Sequence, residues 1–210
     1  MRQAIETIAE LAQQHDCWVL SDEIYSRILY EGEHVSVAAL PGMRERTILL
    51  DGFSKTYAMT GWRLGYGAMP AGLAEHVAKL LMNAVSCTAT FTQLAGVAAL
   101  SGPQTAVDDM VAEFRARRAL VVGGLNAIPG IRCRLPKGAF YAFPNVAGLG
   151  RSAAELADYL LLEHGVATLA GTSFGELGEG YLRLSYANSR QNLREALRRI
   201  EAGVRALSAG

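Results

Sequence analysis

Four stretches of this sequence hold residue types that could do chemistry. They are Ser21-Asp22-Glu23-Ile24-Tyr25, Ser54-Lys55, Gly61-Trp62-Arg63, and Arg183 within Tyr181-Leu182-Arg183-Leu184-Ser185-Tyr186. Together they offer carboxylates, a phenol, a primary amine and guanidinium groups, which suit acid–base work, attack on a carbonyl and the holding of anions. Singly, each has a plainer explanation. A strand-end Asp is more often a cap or turn residue, and a lone Lys is nearly always solvated. Arg63 could belong to a surface ion pair, and Arg183 could be a cation on the exposed face of an edge strand.

The elements that must carry these residues are visible in the apolar pattern. Ile5, Ile8, Ala9, Leu11 and Ala12 follow helical spacing, with no capping residue before them, so the helix is expected to begin upstream of Met1. Cys17 to Leu20 is a short apolar run that ends at Ser21-Asp22-Glu23, and Thr47 to Leu50 is a second that ends at Asp51-Gly52. Arg63 to Ala68 is a third candidate strand, before Pro70 and a helix starting near Gly72. Apolar strands alternating with helices predict an α/β fold with a mostly parallel sheet, whose ligands sit outside the carboxyl ends of the strands. Asp22 and the residues after Asp51 fall there.

Further along, Gln93 to Leu100 reads as a buried helix and Gln104 to Leu125 as a long one, weakened at its end by Gly123-Gly124. Pro129-Gly130 is the clearest break. Beyond it the pattern predicts strands at Ile131–Leu135, Ala139–Phe143, Val166–Leu169 and Tyr181–Tyr186, and helices at Ser152–Glu163 and Arg190–Leu207, a small α+β domain. Strand alternation puts Tyr181, Arg183 and Ser185 on one face and Leu182 and Leu184 on the other, so the Arg183 guanidinium points away from that domain's core.

Composition narrows the classes. The 210 residues are 50% hydrophobic and 19% charged, which excludes a disordered chain. Twenty basic residues balance twenty acidic ones, so no global field recruits nucleic acid or an anionic membrane. The uncharged stretch from Leu80 to Val107 carries too many polar groups, and the pair Gly102-Pro103, to span lipid. Cys17, Cys87 and Cys133 are odd in number and widely spaced, which predicts reduced thiols in a cytoplasmic protein and no zinc site. His15, His34, His76 and His164 form no ligand cluster.

Taken jointly, the four stretches resemble the fold type I pyridoxal-phosphate-dependent aminotransferases, the class I/II or aspartate aminotransferase superfamily, over nearly the whole chain. The resemblance rests on D-G-F-S-K-T-Y-A-M-T-G-W-R-L-G-Y at Asp51–Tyr66, P-K-G-A-F-Y-A-F-P at Pro136–Pro144 and R-L-S-Y-A at Arg183–Ala187. It implies that Lys55 is the catalytic residue, joined to pyridoxal 5'-phosphate as an aldimine, and that Asp22 holds the pyridine nitrogen protonated. It implies further that Tyr25 bonds the ring oxygen, that Arg63 binds the phosphate with a hydroxyl added by Ser54, and that Arg183 clamps the substrate carboxylate. The position two before Ser54, a serine in several relatives, is Gly52 here. Gly138-Ala139-Phe140-Tyr141 could bring an aromatic edge to the substrate, although core packing explains the same letters.

The resemblance begins in the middle of the family's large domain. Residues 1–115 are therefore expected to be part of the cofactor-binding large domain, and residues 116–210 a linking helix with the small C-terminal domain. The function implied is transfer of an amino group from an α-amino acid to a 2-oxo acid by a homodimer when full length, with no nucleic-acid or membrane partner and no metal. The alternatives are a carbon–sulfur lyase on the same fold and a catalytically incompetent aminotransferase-like module.

Overall fold

The computed structural model describes residues 2–209. The chain divides into two compact units, Met1–Asp108 and Asp109–Gly210. The first opens with helix α1 (Arg2–Gln14), and the expected extension before Met1 lies outside the described residues. Ala9 and Ala12 of α1 are buried in a cluster with Val37 and Met43, with Ile5, Val19 and Leu40 packed against it. Met43 and Ile28 are fully buried, each contributing about 1.5–3 kcal/mol by leaving water.

Three strands follow, β1 (Val19–Asp22), β2 (Thr47–Gly52) and β3 (Gly65–Ala68), in the order β1-β2-β3. β1 runs parallel to β2, with Asp22 opposite Leu50, and β3 runs antiparallel to β2, with Gly52 opposite Gly65. The expected α/β class is observed, with the parallel character confined to β1 and β2. The segment between β2 and β3 contains only turns and a 3-10 helix (Thr60–Trp62), so β3 returns antiparallel without a crossover helix. β1 begins two residues later than the apolar run, because Ser21 and Asp22 are held in the ladder by β2.

Helices α2 (Ala71–Ala84) and α3 (Thr90–Ser101) complete this unit. The helix expected at Gln93–Leu100 is present, but it is not a buried one. Only Thr92 and Gly96 are buried, while Phe91, Leu94, Val97 and Leu100 are exposed. Sequence hydropathy marks an apolar helix but does not say what covers it. Gly96 allows the contact α3 does make, since a Cβ there would meet Leu64 Cδ2 at 2.5 Å.

The second unit holds most of α4 (Thr105–Asn126), then β4 (Tyr141–Ala142), α5 (Ala153–Leu162), β5 (Leu169–Ala170), β6 (Leu182–Ser185) and α6 (Arg190–Ala209). β6 lies between β4 and β5, antiparallel to both. Ile131–Leu135 is not a strand; only Arg132 bridges, to Asn145, while buried Ile131 and Cys133 alternate with exposed arginines. The strand expected at Val166–Leu169 is observed at Leu169–Ala170. α5 starts at a capping box in which Glu155 N–H donates to Ser152 Oγ and Ser152 N–H donates to Glu155 Oε2. The core of this unit includes Leu125, Leu156, Leu160, Leu182, Tyr186 and Ile200. Among the described residues no helix is long and apolar enough to cross a membrane, and no cluster of side chains could hold a metal ion.

Candidate active site

Strand direction collects most of the chemical residues. β1 and β2 are parallel, so their carboxyl ends share one end of the sheet, and antiparallel β3 begins there. Asp22 is the last residue of β1, with Tyr25 in the turn that follows. Ser54 and Lys55 come directly after β2, and Arg63 directly precedes β3. Topology thus brings Asp22, Tyr25, Ser54, Lys55 and Arg63 to one end of the first unit. Arg183 belongs to the second unit, on β6.

The ionic partners of these residues are telling. Asp22 is exposed, and its Oδ1 accepts from the Ile24 N–H at 3.2 Å, as a strand-end turn residue does. It has no cationic partner among the described residues. Arg63 is exposed and donates from Nη1 to the Thr60 carbonyl at 2.9 Å; it too has no charged partner among the described residues. Its backbone is left-handed, with φ 55° and ψ 49°, an uncommon state for a residue other than glycine. Lys55 and Tyr25 are partly buried and each makes further interactions. Ser54 is partly buried.

Beside Asp22 lies a carboxylate whose importance the sequence did not disclose. Glu23 is 7% exposed. It is bonded to Ser36 Oγ at 2.6 Å, to His34 Nε2 at 2.6 Å and to Ser21 Oγ at 3.2 Å. A buried carboxylate needs such partners. The result ties the segment before residue 37 to the end of β1. His34, which sequence reading gave no role, is one of the ties. The only hint in the sequence is the pair of patterns S-x-E and H-x-S.

Across the sheet end, Asp51 and Tyr66 face each other in register, and the Tyr66 hydroxyl donates to Asp51 Oδ2 at 3.3 Å. Burial and the neighbouring Asp51 carboxylate both push the Tyr66 phenol up from its ordinary value. Gly52 is closely approached: a Cβ would lie 3.1 Å from both Gly65 Cα and the Leu64 carbonyl oxygen, so a side chain there requires a small shift of the neighbouring backbone.

In the second unit, Arg183 contacts two aromatic rings, with its guanidinium carbon 4.7 Å from the centre of Tyr141 and 4.6 Å from that of Phe174. No carboxylate pairs with it among the described residues. Phe140 stacks on Phe114 at 5.2 Å, so core packing accounts for Phe140 while Tyr141 serves Arg183. The three cysteines are unpaired, with Cys17 and Cys87 exposed and Cys133 buried.

The sheet end thus gathers a lysine amine, a carboxylate without a cationic partner and an arginine without an anionic one among the described residues, groups able to attack a carbonyl and to hold opposite charges. The chain belongs to the class I and II aminotransferase family, whose model matches residues 1–200. It is 44% identical over 200 residues to the putative aminotransferase YugH of Bacillus subtilis, a match that covers 95% of this chain and 52% of that protein. It is also 44% identical to an aspartate aminotransferase of Pyrococcus abyssi, with 96% and 52% covered. Among solved structures, an aromatic aminotransferase from Pyrococcus horikoshii superimposes with a TM-score of 0.96 at 40% identity, covering all of this chain and 56% of that one. An aspartate aminotransferase of Thermus thermophilus gives 0.89 at 37% identity, with 97% and 52% covered. The chain spans about half the length of the curated relatives it matches.

Proposed function

We propose that this chain carries the lysine half of a pyridoxal-phosphate-dependent aminotransferase site, acting on an α-amino acid and a 2-oxo acid. The observation that carries the reading is the meeting of Asp22, Lys55 and Arg63 at one sheet end, with Asp22 and Arg63 lacking any opposite charge among the described residues.

That donor set fits the cofactor. Asp22 suits a protonated ring nitrogen, and Arg63, with Ser54, suits a phosphate dianion, since a guanidinium fork matches its oxygens. Tyr25 offers a phenol to the ring oxygen, and Lys55 offers the amine that condenses with the aldehyde. When bound, the cofactor supplies an electron sink for the pair left as the substrate Cα loses its proton. Lys55 Nζ takes that proton and later returns it. Asp22 would hold the ring-nitrogen charge in place, and Arg183 would receive the substrate carboxylate. Residues 1–115 then form part of the large domain and residues 116–210 the linking helix and small domain. Unpaired thiols fit a cytoplasmic location, and the apolar side chains left exposed on α3 fit a homodimer of the complete enzyme.

The test is covalent. The chain is incubated with pyridoxal phosphate, reduced with borohydride and digested, and its three lysines, Lys55, Lys79 and Lys137, are compared by mass spectrometry. Saturable labelling is expected at Lys55 and is expected to vanish in Lys55→Ala. Equal labelling of Lys79 or Lys137 would refute the assignment.

A further inference from the structure

The setting of Arg183 in the second unit is more elaborate than a surface cation requires. On β6, Arg183 and Ser185 share a face, and Tyr141 of β4 stands opposite Ser185. That register places Tyr141 diagonal to Arg183, within reach of a long side chain, and its ring covers one side of the guanidinium at 4.7 Å.

The second ring is held by a loop that only glycine can build. Phe174 ends the 3-10 helix Gly171–Phe174, directly after β5, the other neighbour of β6. Gly175 follows it at φ 117° and ψ 163°, a region essentially closed to other residues. The loop then folds back on itself: a Cβ on Gly171 would lie 2.2 Å from the Gly178 carbonyl oxygen, and one on Gly178 would lie 2.0 Å from that of Gly171. Phe174 also meets Phe143 edge to face at 6.3 Å, and Phe143 is itself stacked on Tyr181 at 5.2 Å. Phe174 is nonetheless 53% exposed, so burial of its ring does not explain the construction. The ring also meets Arg183, whose guanidinium carbon lies 4.6 Å from its centre.

The geometry points to Phe174 and Tyr141 as positioning residues for Arg183: the two rings hold the guanidinium plane by cation–π contact and leave its N–H edge for a carboxylate. This rests on the reading of Arg183 as a carboxylate site. A long flexible side chain normally loses rotamer freedom when it binds, and a guanidinium already held by two rings loses less of it. The rings accept no hydrogen bond in the guanidinium plane, so they fix its orientation without competing for its donors.

The test uses the chain itself, selectively labelled at arginine nitrogens, with propionate as the probe because it carries a carboxylate and no carbonyl that could condense with Lys55. In the free chain, the Arg183 Nε–H signal, assigned by its loss in Arg183→Gln, is expected to be shifted by ring currents and to move saturably on adding propionate. Phe174→Leu keeps apolar bulk without a π face; it is expected to abolish most of that ring-current shift and weaken propionate binding about three- to ten-fold. Phe174→Trp, with the stronger π face, is expected to retain both, which separates positioning from loop collapse. If the parent binds propionate at Arg183 and Phe174→Leu binds it equally well, the positioning role is overturned while the carboxylate site stands. If propionate leaves the Arg183 signal of the parent unmoved, the carboxylate reading fails, and the inference with it.

Discussion

Removing the Glu23 carboxylate is expected to be one of the costliest single changes in the first unit. Glu23→Ala deletes an acceptor that is 7% exposed and serves Ser36, His34 and Ser21. A hydrogen bond to a charged group contributes about 1.5–3 kcal/mol net, and the Ser36 bond, short and partly buried, is assigned that range. The His34 side chain is 35% exposed and can turn to water, so its bond is discounted to about 0.5–1 kcal/mol. The Ser21 bond, at 3.2 Å between near neighbours, adds little. Relief of the carboxylate's own desolvation offsets part of the sum. The expected loss after that offset is about 1.5–3 kcal/mol, a drop of roughly 3–12 °C in Tm at about 2–4 °C per kcal/mol for a chain of this size.

The assay is thermal and urea unfolding followed by far-ultraviolet circular dichroism, on Glu23→Ala, Ser36→Ala and the double variant. Groups that share a bond are non-additive, so the double variant is expected to be about 1–2 kcal/mol less destabilised than the sum of the singles. A loss below about 1 kcal/mol in Glu23→Ala, or simple additivity, would refute the view that this carboxylate anchors the segment before residue 37 to the end of β1.

Arg63→Gly relieves a left-handed backbone worth about 1–2 kcal/mol and gives back about 0.4–1 kcal/mol through a freer unfolded chain. Unfolding should therefore show a net gain of up to about 1.5 kcal/mol, with loss of pyridoxal phosphate affinity by titration; net destabilisation would refute this. Glu113 accepts hydrogen bonds from Arg190 and Arg117, which hold its carboxyl down at about 2. A lowered folded value means that its stabilising contribution is complete above the ordinary carboxyl range near 4.3 and is lost as pH falls through about 2. A carboxyl titration by NMR is expected to show this and to move up in Arg190→Ala, and a value unmoved by that substitution would count against the assignment.

What could be read from the sequence divides along physical lines. α4, α5 and α6 were legible because their signals are local: periodic apolar positions and the break at Pro129-Gly130. β2 was legible as an apolar run, but β1 was displaced by two residues because Ser21 and Asp22 owe their extended form to pairing with Ile48's neighbours on β2, Leu49 and Leu50. The sheet-end placement of Asp22 followed from the ligand rule for α/β folds. The partners of Glu23 and of Arg183 were not legible. Glu23 meets His34 and Ser36 from a later segment, and Arg183 meets Tyr141 and Phe174 from two earlier ones, and no period or spacing within one segment encodes such a contact.

The connection between β2 and β3 shows why those positions matter. Ala58 and Arg63 are both left-handed, at φ 52° and 55°, and each costs about 1–2 kcal/mol that a glycine would avoid. The chain is not short of glycine nearby: Gly52, Gly61, Gly65 and Gly67 surround them. Backbone bonds explain how the strain is held, from Phe53 N–H to the Leu64 carbonyl at 3.2 Å, from Met59 N–H to that of Phe53 at 3.2 Å and from Trp62 N–H to that of Met59 at 3.1 Å. They do not explain why the residue at the second bend is arginine. Its one hydrogen bond there, to the Thr60 carbonyl, is exposed and worth little. Arg63 opposes its backbone's preference, gains little from its neighbours and has no opposite charge beside it among the described residues. At the end of a sheet that also presents Asp22 and Lys55, this setting supports the proposal that Arg63 is kept for an anionic group on a bound ligand, and the Arg63→Gly titration is its test.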